Sequence, residues 1–152
     1  MAMGFRSNIF DPLLVGSQIL ALQCCFYVTM GLWLVLADMI AGIQLSVDQL
    51  FDYKEFEGPH DGWLVMGAVA LNAFSTALAM WWIVRRAKLC LDFSITVYLL
   101  HLLLSVLYGG LPHSWAWWIT NTASLVITVV VGEFLCMRSE LAAIPVTGEA
   151  KT

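Results

Sequence analysis

The chain has 152 residues, 61% of them hydrophobic and 12% charged, with a formal net charge of −4 and a mean hydropathy of +0.83. A soluble domain is typically about one quarter charged, so this composition excludes an ordinary water-solvated domain and points to lipid as the solvent. The acidic balance leaves no footprint for nucleic acid, and the length suits one domain.

Four uncharged stretches follow in chain order, at 13–37, 63–84, 93–111 and 114–132. The hydrocarbon core of a bilayer takes about 20 mostly apolar residues as a helix. Inside lipid every backbone N–H and C=O must be paired within its own segment, which forces helix. The spacing predicts an all-α integral membrane protein with four transmembrane helices in one bundle, over about 13–41, 63–84, 93–111 and 114–137. The first stretch follows Arg6, as a secretory signal would. A signal's apolar region is about 7–15 residues long, whereas this one runs unbroken to Ala37 and reads as an uncleaved anchor. A soluble bundle would need polar helix faces with Lys and Glu every turn, and these stretches have none.

The cations predict the sides. Lys and Arg collect on cytoplasmic flanks, and an even number of spans puts both termini on one side. That side holds Arg6, Arg85, Arg86, Lys88, Arg138 and Lys151, against Lys54 alone on the other. Both termini are therefore expected in the cytosol, with a cytosolic hairpin at 85–92 and a tail at 138–152. A luminal or exterior loop is expected at 46–62, carrying Asp48, Asp52, Glu55, Glu57 and Asp61. Trp63, Trp81, Trp82, Trp115, Trp117 and Trp118 fall near the expected boundaries, where an indole is favoured. Cys24 and Cys25 lie inside the first helix. Cys90 and Cys136 lie at the cytosolic boundary, as inert thiols or as palmitoylation candidates. The expected luminal loop has no Cys and no Asn-x-Ser/Thr sequon, so no disulfide framework is expected there.

Helical spacing predicts which faces pack. In the first helix a small-residue seam reads Ser17, Ala21, Cys24, Val28, Gly31, Val35 and Asp38. In the second, Ala68, Asn72, Ser75, Thr76 and Ala79 share a face. Ser94, Tyr98, His101, Ser105 and Tyr108 do so in the third, and Asn121, Ser124, Thr128 and Gly132 in the fourth. Small and polar stripes let helices approach closely in lipid, so all four are expected inside. The intramembrane polar residues are Asn72, His101 and Asn121. His101 lies nine positions past Asp92, about 13 Å deeper along a helix. It is read as a neutral side chain bonded to Asn72, Thr128 or a carbonyl, although intramembrane ionisable groups are often functional. Asp38 and Glu133 are expected to reach headgroup water at their ends.

No catalytic, phosphate-binding or paired-Cys metal motif is present. No enzyme, cofactor, metal or small-molecule substrate is expected. Arg85, Arg86 and Lys88 suit anionic lipid as well as a topology signal.

Several stretches together carry a resemblance. They are FRSNIFDPLLVGSQI (5–19), GLWL (31–34) followed by Asp38, SVDQLFD (46–52), LNA (71–73), RRAKLCLDF (85–93) and GEFLCMRSELAAIP (132–145). In this order, across nearly the whole chain, they resemble the Sys-one Golgi trafficking proteins. The loop YKEFEGPHDG and the tail PVTGEAKT match no pattern of that family. The resemblance implies a multi-pass protein of the Golgi apparatus and trans-Golgi network. It implies a membrane receptor for an N-terminally acetylated, Arf-related small GTPase, supporting traffic between endosomes and the Golgi. A single myristoyl chain gives only marginal membrane binding, and an acetyl group is smaller still, so such a GTPase needs a protein site. The candidate partner-binding residues are those expected at the cytosolic boundary: Arg6, Asp11, Arg85, Arg86, Lys88, Asp92, Glu133, Arg138 and Glu140. The alternative reading is a small dimeric proton-coupled four-span transporter. The middle of its first helix, ALQCCFYV, lacks a carboxylate, which leaves His101 as the proton site.

Overall fold

Asp11 opens the first helix, α1 (Pro12–Ala41). Its carboxylate accepts from the N–H groups of Leu13 and Leu14 at 3.1 and 3.3 Å, and Pro12 fills the first helical position. Those donors have no partner inside the helix, so an Asp-Pro pair is well suited to start it. Gly42 ends α1 in the left-handed conformation (φ 71°), its N–H returning to the Asp38 carbonyl. The chain is seen here as a computed structural model that describes residues 11–59 and 61–144.

A short helix α2 (Asp48–Phe51) and a 3₁₀ turn (Tyr53–Glu57) follow. The remaining long helices are α3 (Gly62–Ile83), α4 (Ala87–Gly109) and α5 (Trp115–Ala142). Helices α1, α3, α4 and α5 are each long and apolar enough to cross a membrane, and no strand occurs among the described residues. Helix α3 is central, packed on α1 along one flank and on α5 along the other. Helix α4 packs on α5 and meets α1 only lightly. Phe51 of α2 wedges between α1 and α4, its ring 5.6 Å from Tyr27, 6.3 Å from His101 and 5.6 Å from Tyr108. One end of the bundle thus carries the turn at Arg85 and Arg86, the cationic end. The other carries α2 and its loop, the loop end.

Three helices turn their small or polar stripes inward. Asn72, Thr76, Ser94, His101, Ser105, Asn121, Ser124 and Thr128 are all buried. Their polar atoms mostly bond within the bundle, as lipid requires. Asn72 Nδ2 donates to the Phe26 carbonyl at 3.3 Å and its oxygen accepts from the Thr29 hydroxyl. The Thr128 hydroxyl donates to a helix carbonyl and accepts from the Tyr98 hydroxyl at 3.1 Å.

Helix α1 differs from expectation. Its buried residues are Leu22, Phe26, Met30, Leu34 and Asp38, while Ser17, Cys24, Val28 and Val35 are exposed. The reason lies in its neighbour. Helix α3 presents Ala68, Asn72, Ala73, Thr76 and Ala77 inward, and one small face is enough for close approach. Bulky α1 side chains fill it.

Four further residues differ. Asp38 does not reach headgroup water: it is 2% exposed and accepts from Gln49 Nε2 at 3.2 Å. Tyr108 is exposed rather than inward. Trp117 is buried, nearly parallel to His101 at 6.3 Å. His101 bonds neither Asn72 nor Thr128. Its Nδ1 faces the Tyr27 hydroxyl at 3.3 Å, with the Phe26 ring 5.4 Å away. The Asn and Thr are already engaged by Phe26, Thr29 and Tyr98.

At the loop end Asp48 accepts from the Tyr108 hydroxyl at 2.6 Å and from Ser46 Oγ at 3.1 Å. These two bonds, the Tyr108 one first, hold its carboxyl below the ordinary 3.8. A depressed carboxyl stabilises the fold above its unfolded pKa and loses that contribution as pH falls through its folded value. Glu55 is pushed the other way, by burial and then by the carboxylates of Asp48, Asp52, Asp61 and Asp38. Its contribution is present in acid and lost as pH rises through its folded value. The tie of α2 to α4 is therefore expected to persist from neutrality down to roughly pH 4 and to loosen below it. Hydrogen exchange across 48–51 measures this, and Tyr108→Phe is expected to remove most of the step.

Candidate docking site at the cationic end

The cationic end is built by a tight turn. Helix α3 closes at Val84, and Arg85 adopts the left-handed region (φ 57°), which non-glycine residues seldom occupy. Its Nε donates to the Trp82 carbonyl at 3.2 Å. Arg86 is extended and precedes α4 without capping it through its own side chain. The cap comes from another helix. Glu140, near the end of α5, accepts from the Ala87 N–H at 3.1 Å across 53 positions. A carboxylate at a helix N-terminus is favoured by the unpaired N–H groups and by the helix dipole.

Helix α4 starts at Ala87, six residues before the apolar stretch that marked it in the sequence. Hydropathy marks where a helix meets lipid, not where it begins. Lys88, Cys90 and Asp92 are consequently helical, and the turn is confined to Val84–Arg86. Helix α5 runs on to Ala142, which carries Arg138 and Glu140 out beside that turn.

Arg86, Lys88, Leu89 and Glu140 together line a cavity of about 320 Å³. Two cations and a carboxylate thus stand beside one apolar side chain at the meeting of two helix ends. Of the nine candidates, the structure brings Arg86, Lys88 and Glu140 into this lining. Arg85 is exposed on the adjoining turn and Arg138 on α5. Asp92 is exposed one turn further along α4, and Glu133 is half-buried on α5. Asp11 caps α1. Arg6 lies outside the described residues. Leu89 was missed from sequence, although an apolar residue within a cationic turn was the available signal.

Cys90 and Cys136 are both fully buried with their sulfurs 3.5 Å apart, and the Cys90 thiol also lies 3.5 Å from the Arg86 carbonyl. Acylation would require the α4–α5 packing around these buried thiols to open. On α1, Gln18 Nε2 donates to the Ile83 carbonyl at 3.3 Å and joins the start of α1 to the end of α3. Asp11→Ala is expected to cost about 1 kcal/mol through loss of the cap and to leave the cavity intact. Thermal unfolding of the purified protein measures it.

Residues 5–146 match the SYS1 family, described as an integral membrane protein S linking to the trans Golgi network. The chain is 47% identical over 148 residues to the Protein SYS1 homolog of Nematostella vectensis, across 97% of this chain and 94% of that protein. It is 35% identical over 144 residues to the Protein SYS1 homolog of Dictyostelium discoideum, across 94% and 62% respectively. Against Protein SYS1 of Saccharomyces cerevisiae it is 24% identical over 151 residues, across 90% and 68%. No solved structure matches the chain.

Proposed function

The chain belongs to the SYS1 family of multi-pass membrane proteins linked to the trans-Golgi network, and from that premise we propose that it recruits an N-terminally acetylated, Arf-related small GTPase to that membrane. In this reading the cationic end faces the cytosol, because six of the seven cations belong to that side of a four-span chain. The GTPase presents an amphipathic N-terminal helix to the cavity between α4 and α5. One observation carries the reading: the cavity of about 320 Å³ lined by Arg86, Lys88, Leu89 and Glu140. Its volume is about twice that of a cavity that holds benzene, room for an acetylated terminus and one apolar side chain. The cations and Glu140 flank it and suit a helix that is apolar on one face and charged on the other. The transporter reading draws no comparable support. His101 is 2% exposed and enclosed by Phe26, Tyr27, Phe51 and Trp117.

The test uses the full chain in lipid vesicles, with the GTPase supplied acetylated or unacetylated. Acetylated GTPase is expected to sediment with the vesicles, and the unacetylated form about tenfold less, the effect of roughly 1.4 kcal/mol. Equal binding of the two forms would remove the terminus from the site, and no binding of either would sink the receptor reading. Orientation is checked in cells. A glycosylation acceptor engineered beside Glu55 is expected to be modified, and one beside Lys88 to stay bare.

A further inference from the structure

Three sulfur atoms meet where α3, α4 and α5 pack together, and the docking reading uses none of them. Cys90 of α4 and Cys136 of α5 hold their sulfurs 3.5 Å apart. Met80 of α3 completes the group. Its Sδ and the Cys90 Sγ lie 3.6 and 3.8 Å from one point, the place that a Cβ on Gly132 would take. Gly132 has no side chain to put there. Met80, Cys90 and Cys136 are each 0% exposed, so neither lipid nor bulk water touches the group. The two cysteines stand 46 positions apart in the chain, which is why no paired-Cys spacing marks them.

The polar neighbours leave these sulfurs uncommitted. The Ser94 hydroxyl lies 3.5 Å from Met80 Sδ, but its one hydrogen goes to the Cys90 carbonyl at 2.6 Å. The Cys90 thiol has the Arg86 carbonyl and the Cys136 sulfur both at 3.5 Å, long contacts for a weak donor. Among the described residues no three His, Cys, Asp or Glu side chains group closely enough to hold a metal ion. Zinc takes four such ligands in its structural sites, so this group does not suit it. A thioether and two thiols are soft donors, and a soft set without a fourth ligand suits Cu(I).

We propose that Met80, Cys90 and Cys136 bind one Cu(I) ion between α3, α4 and α5. Each thiol gives its proton to water and binds as a thiolate, and the Met80 thioether is the neutral third ligand. A metal–thiolate bond is about 2.3 Å, so two sulfurs on a trigonal ion stand about 4 Å apart. The pair at 3.5 Å has to part by about half an ångström. Two thiolates and one Cu(I) leave one negative charge. Cys90 is in the first turn of α4, where the helix dipole favours that charge. The ion ties three helices together one turn from Arg86. The inference stands independently of the GTPase reading.

The experiment uses the full chain in lipid nanodiscs, reduced, stripped of metal and kept free of oxygen. Cu(I) is supplied on a chromophoric chelator, whose colour reads the transfer. One Cu(I) per chain is expected to transfer, and X-ray absorption at the copper edge to show sulfur neighbours only. Loss of a supporting residue costs a metal site about 10–100-fold. Loss of a ligand costs more, so Cys136→Ser is expected to weaken binding at least about a hundredfold. Met80→Leu conserves the buried volume and is expected to fold normally. It is expected to weaken Cu(I) about tenfold, with one sulfur neighbour fewer. Cys24→Ser with Cys25→Ser, on α1, is expected to change nothing. Transfer unchanged in either Cys136→Ser or Met80→Leu, transfer lost with Cys24 and Cys25, or no transfer at all would each overturn the proposal. So would Zn²⁺ binding as tightly as Cu(I), or a copper-free chain left with a Cys90–Cys136 disulfide.

Discussion

Gly132→Leu is expected to deplete folded protein severely, while Gly132→Ala leaves it folded. Gly132 is buried on α5 where three helices meet. A Cβ built there lies 3.6 Å from Met80 Sδ of α3 and 3.8 Å from Cys90 Sγ of α4, ordinary van der Waals contact. One methyl fits. The three further carbons of leucine do not, because Met80, Cys90 and Cys136 are all fully buried and cannot swing toward lipid. Overpacking of this kind costs about 1–3 kcal/mol and sometimes more. The strain also has a direction. Pushing Cys90 outward moves the α4 turn that bears Arg86 and Lys88, so residual folded protein is expected to recruit the GTPase poorly. Detergent-extracted yield with a thermal melt reads the first effect, and vesicle sedimentation the second. A leucine variant as stable as the parent would show that α3 and α5 separate more easily than their packing implies.

The helices were legible because lipid imposes a simple rule on composition. Their ends and faces were less so. Asp11 could be read as a cap from the Asp-Pro pair alone, since capping is local. The start of α4 could not, since Ala87 is capped by Glu140 from another helix. The inward face of α1 was misread for a related reason. A stripe of small residues says that a helix can pack closely, and the partner decides whether it needs to. Helix α3 already supplied the small face. Phe51 was hidden in a loop whose charges drew attention away from an apolar pair, Leu50 and Phe51. In the docking region, Arg86 and Lys88 were visible as a cluster, but their meeting with Glu140 depends on how far α5 runs. The apolar stretch that marked α5 ended at Gly132, and nothing in it told that the helix continues to Ala142.

Under the proposed docking role, Arg86→Gln combined with Lys88→Gln is expected to give the largest functional loss, with the GTPase left in the cytosol and this chain still at the Golgi. Both side chains line the cavity together with Leu89 and Glu140. Glutamine keeps much of their length and removes their charge. Orientation is expected to survive, because Arg6, Arg85, Arg138 and Lys151 remain against Lys54 alone. The change therefore separates the proposed docking role of these cations from their topological one. Desolvated charge partners at an interface typically matter by about 2–5 kcal/mol each, so recruitment is expected to fall at least about a hundredfold. Glu140→Gln is the companion variant. It retains an oxygen that can accept from Ala87 N–H, so α4 should start at the same residue, while the negative charge offered to the incoming helix is gone. Arg86→Lys with Arg85→Lys keeps every charge and loses the planar guanidinium fork. Partial loss there would show that geometry matters beyond charge. Asp92→Asn, outside the cavity lining, is expected to change recruitment little. Normal recruitment by the double glutamine variant, with the acceptor beside Glu55 still glycosylated, would confine these cations to setting orientation. The GTPase site would then have to lie on another surface of the helix ends.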